Sequence, residues 1–274
     1  MSAMRAWVDG KRLTTPTPHG CAVSPSPQGG GVWMRCVVLN FACLAAVSAS
    51  ACENIAYDDA RYTVCATDAR DKGLRLFLRD DNGETIGSFT ALESLLAKRN
   101  ERLVFAMNGG MYHPDRMPVG LYVENSRELT RLNQRAGPGN FHMRPNGVFW
   151  IDAAGAHVTE TSRFAKAKAR PIYATQSGPM LVIGGAIHPK FLGRSESAKI
   201  RNGVGICKDG QVRFAISDTP VEFRAFALFF RDRLGCADAL YLDGSISGLH
   251  APDIHRTDIW RPQMGPIIGL VTKR

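Results

Sequence analysis

The chain has 274 residues, 45% of them apolar, and a formal charge of +9 at neutral pH. That apolar share excludes a disordered or fibrous chain and is enough for a substantial core. The basic excess suits an anionic ligand such as a phosphate, but no run of Lys and Arg is interleaved with aromatics, so nucleic acid is not an expected partner.

Residues 1 to 33 are rich in Pro, Gly, Ser and Thr (TTPTPHG, SPSPQGGG), a composition that cannot bury a core. Met34 to Ala51, MRCVVLNFACLAAVSASA, carries one cation, a short apolar stretch and an Ala-Ser-Ala ending, which reads as a secretory signal peptide. A signal peptide begins a protein, so Met34 is the expected start and 1–33 an over-extended leader. The mature part, 52–274, then carries +6, because the first 51 residues hold four basic residues against one acidic.

Export changes how the seven cysteines count. Cys52, Cys65, Cys207 and Cys236 remain, and four cysteines allow three pairings. Cys52 with Cys65 is the preferred disulfide, pinning the mature N-terminus. The competing reading makes Cys52 a lipidated terminus, the only membrane attachment the sequence offers, although Ala49 makes a poor lipobox. Without a C-x-x-C, neither a zinc ribbon nor a thioredoxin-like site is expected.

In chain order, Leu74, Leu76 and Leu78 alternate with Arg75, Phe77 and Arg79 with the period of a half-buried strand, and Asp81-Asn82-Gly83 supplies a hairpin turn. Thr90-Ala91-Leu92-Glu93 reads as a capping box opening a short helix, followed by a buried strand from Leu103 to Met107. Further strands are expected at 120–124, 128–132, 147–151, 156–160, 179–183, 200–207 and 211–217, with Lys208-Asp209-Gly210 as a hairpin turn. A second capping box, Thr219-Pro220-Val221-Glu222, predicts a helix to about Gly235 with Phe226, Ala227, Phe230 and Leu234 inward. That helix feeds a strand from Ala239 ending at Asp243. The whole reads as one α+β domain, a mixed, strand-rich sheet arrangement packed on a few helices.

Five polar, glycine-bearing clusters stand at strand ends. They are Asn108-Gly109-Gly110-Met111-Tyr112, Arg144-Pro145-Asn146-Gly147, Gln176-Ser177-Gly178-Pro179, Arg201-Asn202-Gly203 and Asp243-Gly244-Ser245-Ile246-Ser247. Glycine lets backbone approach a ligand, amides and hydroxyls suit sugar oxygens, and Arg suits phosphate. Singly, each such motif is a turn; five together point to a site.

NGGMY, RPNGVF, QSGPMLV, IRNGVGI and ALYLDGSIS resemble, in order, the motifs of the phosphodiester glycosidase family, whose animal member is the lysosomal uncovering enzyme. The resemblance runs over about residues 60–271. It implies hydrolysis at the anomeric carbon of a sugar whose leaving group is a phosphate monoester; the residues themselves call for no cofactor. Ser245-Ile246-Ser247-Gly248 departs from the family's continuation of the aspartate motif, and the animal enzyme's additional segments are missing, so recognition of a protein-bound glycan is not implied.

A usual glycosidase needs two carboxyl groups. Phosphate leaves readily, so stabilising its charge outweighs protonating it. One motif carboxylate, Asp243, then suffices as nucleophile or general base. Arg201 and Arg144 are assigned to the phosphate. Asn108, Asn146, Asn202 and Ser177 are assigned to sugar or phosphate oxygens, with Gly109, Tyr112, Gln176, Gly178, Gly244, Ser245 and Ser247 lining the substrate. Asp115 or Asp218 are the contenders for a second carboxylate, and His142 for an acid, whereas Glu222 is absorbed by its capping box. His250-x-x-Asp253-x-His255 has a spacing compatible with a divalent ion, but no metal is assigned. Gly244-Ser245-Ile246-Ser247-Gly248 puts Ile where a serine nucleophile would stand, which disfavours a serine hydrolase. Two other functions compete: a non-catalytic envelope protein binding an anionic glycan, and a phosphodiesterase cutting the P–O bond.

Overall fold

The computed structural model describes residues 51–191, 193, 197–258 and 263–274. The 1–33 leader and the signal segment up to Ser50 lie outside them. The described residues belong to one unit running to Arg274.

Three sheets carry the fold, and every strand pairing among the described residues is antiparallel. The expectation of a mixed sheet is thereby corrected: the domain is mostly β with few helices. Each short turn (Asp81-Asn82-Gly83, Lys208-Asp209-Gly210) reverses the chain directly, and parallel pairing would instead need crossover helices that this sequence does not encode. Gly210 N–H closes the second of these turns on Cys207 O at 3.1 Å.

The first sheet has seven strands in the order Cys52–Tyr57, Ala60–Asp68, Gln211–Ser217, Asn202–Cys207, Cys236–Asp243, Met180–Ile183 and Ala186–Ile187. Its opening hairpin sets Cys52 opposite Cys65, and the two form a disulfide, as do Cys207 and Cys236 on adjacent strands. The second sheet runs Arg256–Thr257, Leu249–Ala251, Glu101–Asn108, Ile267–Lys273, Leu74–Phe77. The third runs Arg127–Thr130, Tyr122–Glu124, Tyr173–Ser177, Gly147–Asp152, Gly155–Glu160.

One aromatic from each sheet meets at the centre. Phe214 lies 5.3 Å from Phe105 and 5.8 Å from Phe149, ring to ring, and all three are fully buried. This is where apolar alternation on three separate strands converges. Truncating Phe214 to Ala would cost about 3–5 kcal/mol.

Both predicted helices start elsewhere than their boxes, and a third, unpredicted helix spans Thr161–Lys166. The first spans Phe89–Lys98 and is capped by Ser88, whose Oγ accepts the Ala91 N–H at 3.1 Å. Ser88 is extended while Thr90 is already helical, so only Ser88 can cap. Phe89, Leu92 and Leu96 bury its inner face on the second sheet. The other helix spans Phe223–Leu228, with Glu222 at its N-cap and no side-chain capping bond there. Val221 is unavailable to a helix because its N–H and C=O pair with Lys199 at 2.9 and 3.2 Å. A π turn, Phe229–Arg233, follows, and its extra residue per turn lets Phe226, Phe229 and Phe230 all face the first sheet. Gly235, at φ +69°, ends it as expected.

Candidate active site

Strand Cys236–Asp243 alternates its side chains across the first sheet. Leu240 and Leu242 enter the central core, while Ala239 and Tyr241 face the helix side. Asp243 lies two residues beyond Tyr241 and therefore on the same side. A register shift against Asn202–Gly203 marks the strand end.

The loop after it folds onto its own aspartate. Asp243 Oδ1 accepts the N–H groups of Gly244 and Ser245 at 2.5 and 2.7 Å. Ser247 Oγ donates to Asp243 O at 2.9 Å. Only 7% of Asp243 is exposed. Burial pushes its carboxyl above the ordinary range, opposed by the Ser245, Gly244 and Ile246 N–H groups and by the charge of Lys199. Gly244 is required here: a Cβ on it would stand 2.0 Å from Tyr241 Oη.

Beneath the loop, Asn202 Oδ1 accepts the Asp243 N–H at 3.0 Å, and Asn202 Nδ2 donates to Asn108 Oδ1 at 2.9 Å. Asn108 Oδ1 also accepts the Gly248 N–H at 2.9 Å. Ser177 Oγ donates to Leu242 O at 2.9 Å, and Thr175 Oγ1 to Gly109 O at 2.8 Å. The three sheets thus meet around the end of this one strand.

Asp243 opens into a cavity of about 620 Å³, a size suited to a small substrate. The loop after strand Glu101–Asn108 lines one side with Met111, Tyr112, His113, Pro114, Arg116 and Val119; Asn140, Tyr241, Ser245 and Ile246 line the rest. Asp243 is the one carboxylate lining it among the described residues. Arg116, whose guanidinium stands 5.5 Å over the Tyr112 ring, is the cation in its wall.

Of the predicted residues, Asp243, Ser245 and Tyr112 line this cavity, and Gly244 lies between them in the loop. Asn108, Asn202, Ser247, Ser177 and Gly109 are buried beneath or beside it, with their polar atoms committed to the bonds above. The others are placed differently. Arg201 is fully buried; its Nε donates to Val221 O at 2.8 Å, its Nη2 to Ser197 O at 2.7 Å, and its plane stacks 3.6 Å from Phe223. Among the described residues its neighbours are protein groups, and it does not line the cavity. Arg144 is exposed and donates to Gln134 O, in a separate depression with Asn146. Asn146 Nδ2 donates to Phe141 O at 2.9 Å. Gln176 is saturated, accepting from Leu121 and Asn133 N–H and donating to Asn133 O and Thr161 Oγ1. Gly178 is a packing glycine, since a Cβ there would stand 2.6 Å from that of Asn146.

The contenders for a second carboxylate are also committed elsewhere. Asp115 Oδ1 accepts the Met117 N–H at 3.0 Å in an exposed turn, and Asp218 pairs with Arg256. His142 binds Arg135 O. His250 faces Thr257 and Glu93, apart from the exposed Asp253 and His255 on the following turn. Among the described residues no group of three His, Cys, Asp or Glu is placed to hold a metal.

The phosphodiester glycosidase family profile matches residues 101–251, a span containing all five clusters. The chain belongs to the phosphodiester glycosidase family. Its similarity to the uncharacterized protein YigE of Escherichia coli (strain K12) is 36% identity over 206 residues, covering 74% of this chain and 80% of that one. Among solved structures it is similar to the auto-inhibited catalytic domain of zebrafish N-acetylglucosamine-1-phosphodiester alpha-N-acetylglucosaminidase. That match has a TM-score of 0.56 at 13% identity and covers 80% of this chain and 81% of that one. A hypothetical protein from Synechocystis shares the fold with a TM-score of 0.50 at 13% identity, over 81% of this chain and 61% of that one. These structures share the fold with this member of the phosphodiester glycosidase family.

The cavity of this family member also holds residues that sequence reasoning missed. Tyr241 lies within the quoted ALYLDGSIS but looks like any aromatic of a buried strand. Arg116 and Asn140 sit in loops whose path the sequence does not reveal. His113-Pro114 immediately after NGGMY was the one available signal.

Proposed function

We infer that the chain hydrolyses the sugar C–O bond of a sugar-1-phosphodiester, releasing free sugar and a phosphate monoester. The observation that carries this reading is the single carboxylate, Asp243, buried at the wall of a cavity in a member of the phosphodiester glycosidase family. Asp243 acts as nucleophile or general base at the anomeric carbon. As the C–O bond breaks, its electron pair leaves with the phosphate oxygen; water, directly or by displacing Asp243 from the anomeric carbon, supplies the new hydroxyl of the sugar and gives up its other proton to Asp243 or to solvent. A phosphate needs no strong acid to depart, which fits a site without a second lining carboxylate.

Arg116 from the cavity wall and Lys199, whose charge acts on Asp243, take the phosphate role in place of Arg144 and Arg201. Tyr112, Ser245 and the Gly244 backbone contact the substrate. Asn108, Asn202, Ser177 and Ser247 hold the Asp243 loop without touching substrate. The two disulfides support function in an oxidising, exported location. Cys52 is given to its disulfide and not to a lipid, because lipidation needs the thiol that Cys65 occupies.

The test is product analysis in heavy-oxygen water with the 52–274 domain and a panel of sugar-1-phosphodiesters. Label in the free sugar is the expected result. Label in the phosphate would mean P–O cleavage, and binding without turnover would leave a glycan-binding protein.

A further inference from the structure

The Arg201 guanidinium is fully buried yet one of its edges reaches a group in the cavity wall: Nη1 lies 3.4 Å from Tyr241 Oη. Arginine has donors only, so at this contact the phenol oxygen accepts. Asn140, also in the cavity wall, stands close enough to Tyr241 to act on its phenol. The Arg201 contact uses a lone pair of the phenol oxygen and leaves the phenol hydrogen to donate, and Tyr241 lines the cavity it shares with Asp243. The ring is held edge-on by Phe223 at 4.8 Å, and Gly244 leaves room for the hydroxyl. Burial pushes the phenol far above its ordinary pKa, so it keeps its proton at neutral pH and donates a hydrogen bond without ionising.

We propose that Tyr241 is the hydrogen-bond donor to the departing phosphate, and that Arg201 is a positioning residue acting on that phosphate only through the Tyr241 phenol. The assignment of the departing group rests on the glycosidase reading above. A donor fixed before the reaction and backed by a permanent cation stabilises charge that develops as the bond breaks. This gives a buried arginine a part in the chemistry without any direct contact.

The experiment compares wild type, Tyr241→Phe, Arg201→Lys and the double variant on a sugar-1-phosphodiester and on the corresponding glycosyl fluoride, whose small leaving group has no phosphate oxygens. Binding of methyl phosphate is measured by calorimetry alongside. Tyr241→Phe keeps the ring against Phe223 and is expected to lower kcat on the phosphodiester about 100-fold while sparing the fluoride. Its affinity for methyl phosphate should fall about tenfold. Arg201→Lys should show the same pattern more weakly and add nothing to Tyr241→Phe. Equal losses on both substrates, unchanged methyl phosphate affinity in Tyr241→Phe, or independent multiplying effects of the two substitutions would overturn the proposal. Should Arg201→Lys fail to fold, the Tyr241→Phe pattern decides. If wild type turns over no phosphodiester, the glycosidase reading fails, and methyl phosphate binding alone still decides whether the phenol is the phosphate donor.

Discussion

Asn202 holds Asp243 by its backbone and not by its carboxylate: Oδ1 accepts the Asp243 N–H at 3.0 Å, while Nδ2 is anchored on Asn108 Oδ1 at 2.9 Å. Both amides are fully buried, so neither can exchange its partner for water. Replacing Asn202 with Ala leaves the Asp243 N–H without its partner and removes the amide bond to Asn108, which keeps only the Gly248 N–H, and should cost about 2–4 kcal/mol in urea denaturation. Loss of activity should accompany it because the Asp243 loop is no longer fixed. A stability change below the error of the measurement would contradict this account.

Asp243→Asn separates chemistry from stability. The carboxyl is raised by burial, so the ionised form is disfavoured in the folded protein, and its cost is present above the raised pKa and vanishes as pH falls below the unfolded value. At neutral pH the Asn variant should be as stable as wild type or more stable, by on the order of 1 kcal/mol. Turnover should fall about 10²–10⁴-fold. In wild type, kcat/KM should rise with pH through a midpoint above the ordinary Asp value of about 3.9. A midpoint at or below that value would remove Asp243 from the role of ionised catalyst.

Gly244→Ala drives a methyl group into Tyr241 Oη, which stands 2.0 Å from the Cβ position. Arg201 and Phe223 hold that ring, so the Asp243 loop is expected to move instead. Activity should drop sharply while the melting temperature changes little, a split measured by kinetics beside thermal unfolding. Full activity in the alanine variant would show that the loop conformation is not needed.

Glu124 lies outside the site, and burial pushes its carboxyl up to about 7, opposed by the Tyr122 hydroxyl and Leu78 N–H. The folded protein therefore binds more protons than the unfolded chain between the ordinary value and about 7. Stability should fall as pH rises through that window, by on the order of 2–3 kcal/mol. Glu124→Gln should flatten the fall, as read from denaturation midpoints across the same pH range. An unaltered pH dependence in the variant would place the titration elsewhere.

Replacing Cys52 and Cys65 together by Ser opens a loop of sequence separation 13. Stability should drop by about 3 kcal/mol. Activity should persist at low temperature, since the hairpin lies at the edge of the seven-stranded sheet and away from Asp243.

Local pattern made much of this molecule legible in its sequence. The predicted strands at 147–151, 156–160 and 211–217 appear almost residue for residue as Gly147–Asp152, Gly155–Glu160 and Gln211–Ser217, because alternation and Gly turns are properties of adjacent residues. Helix starts were displaced because caps depend on where the chain turns in space: Ser88 took the role given to Thr90, and the bridge to Lys199 withdrew Val221. Strand Tyr173–Ser177 runs into the Gln176-Ser177-Gly178 cluster, and its polar residues Thr175, Gln176 and Ser177 are buried, so no apolar alternation marks it.

The sequence by itself determined the strand-rich domain, the family resemblance and Asp243 at the end of its strand, since each is carried by neighbouring residues or a short motif, whereas it only favoured the Cys52–Cys65 pairing that the structure contains. Only the tertiary structure decided which polar groups face the cavity. Arg201, Asn202 and Gln176 read alike as ligand-binding side chains, yet packing buries all three and commits their hydrogen bonds to protein. Tyr241, an ordinary strand aromatic in the sequence, comes to the cavity wall because three sheets converge at its strand end. Burial and partner geometry are set by contacts between residues far apart in the chain, and no local pattern encodes them.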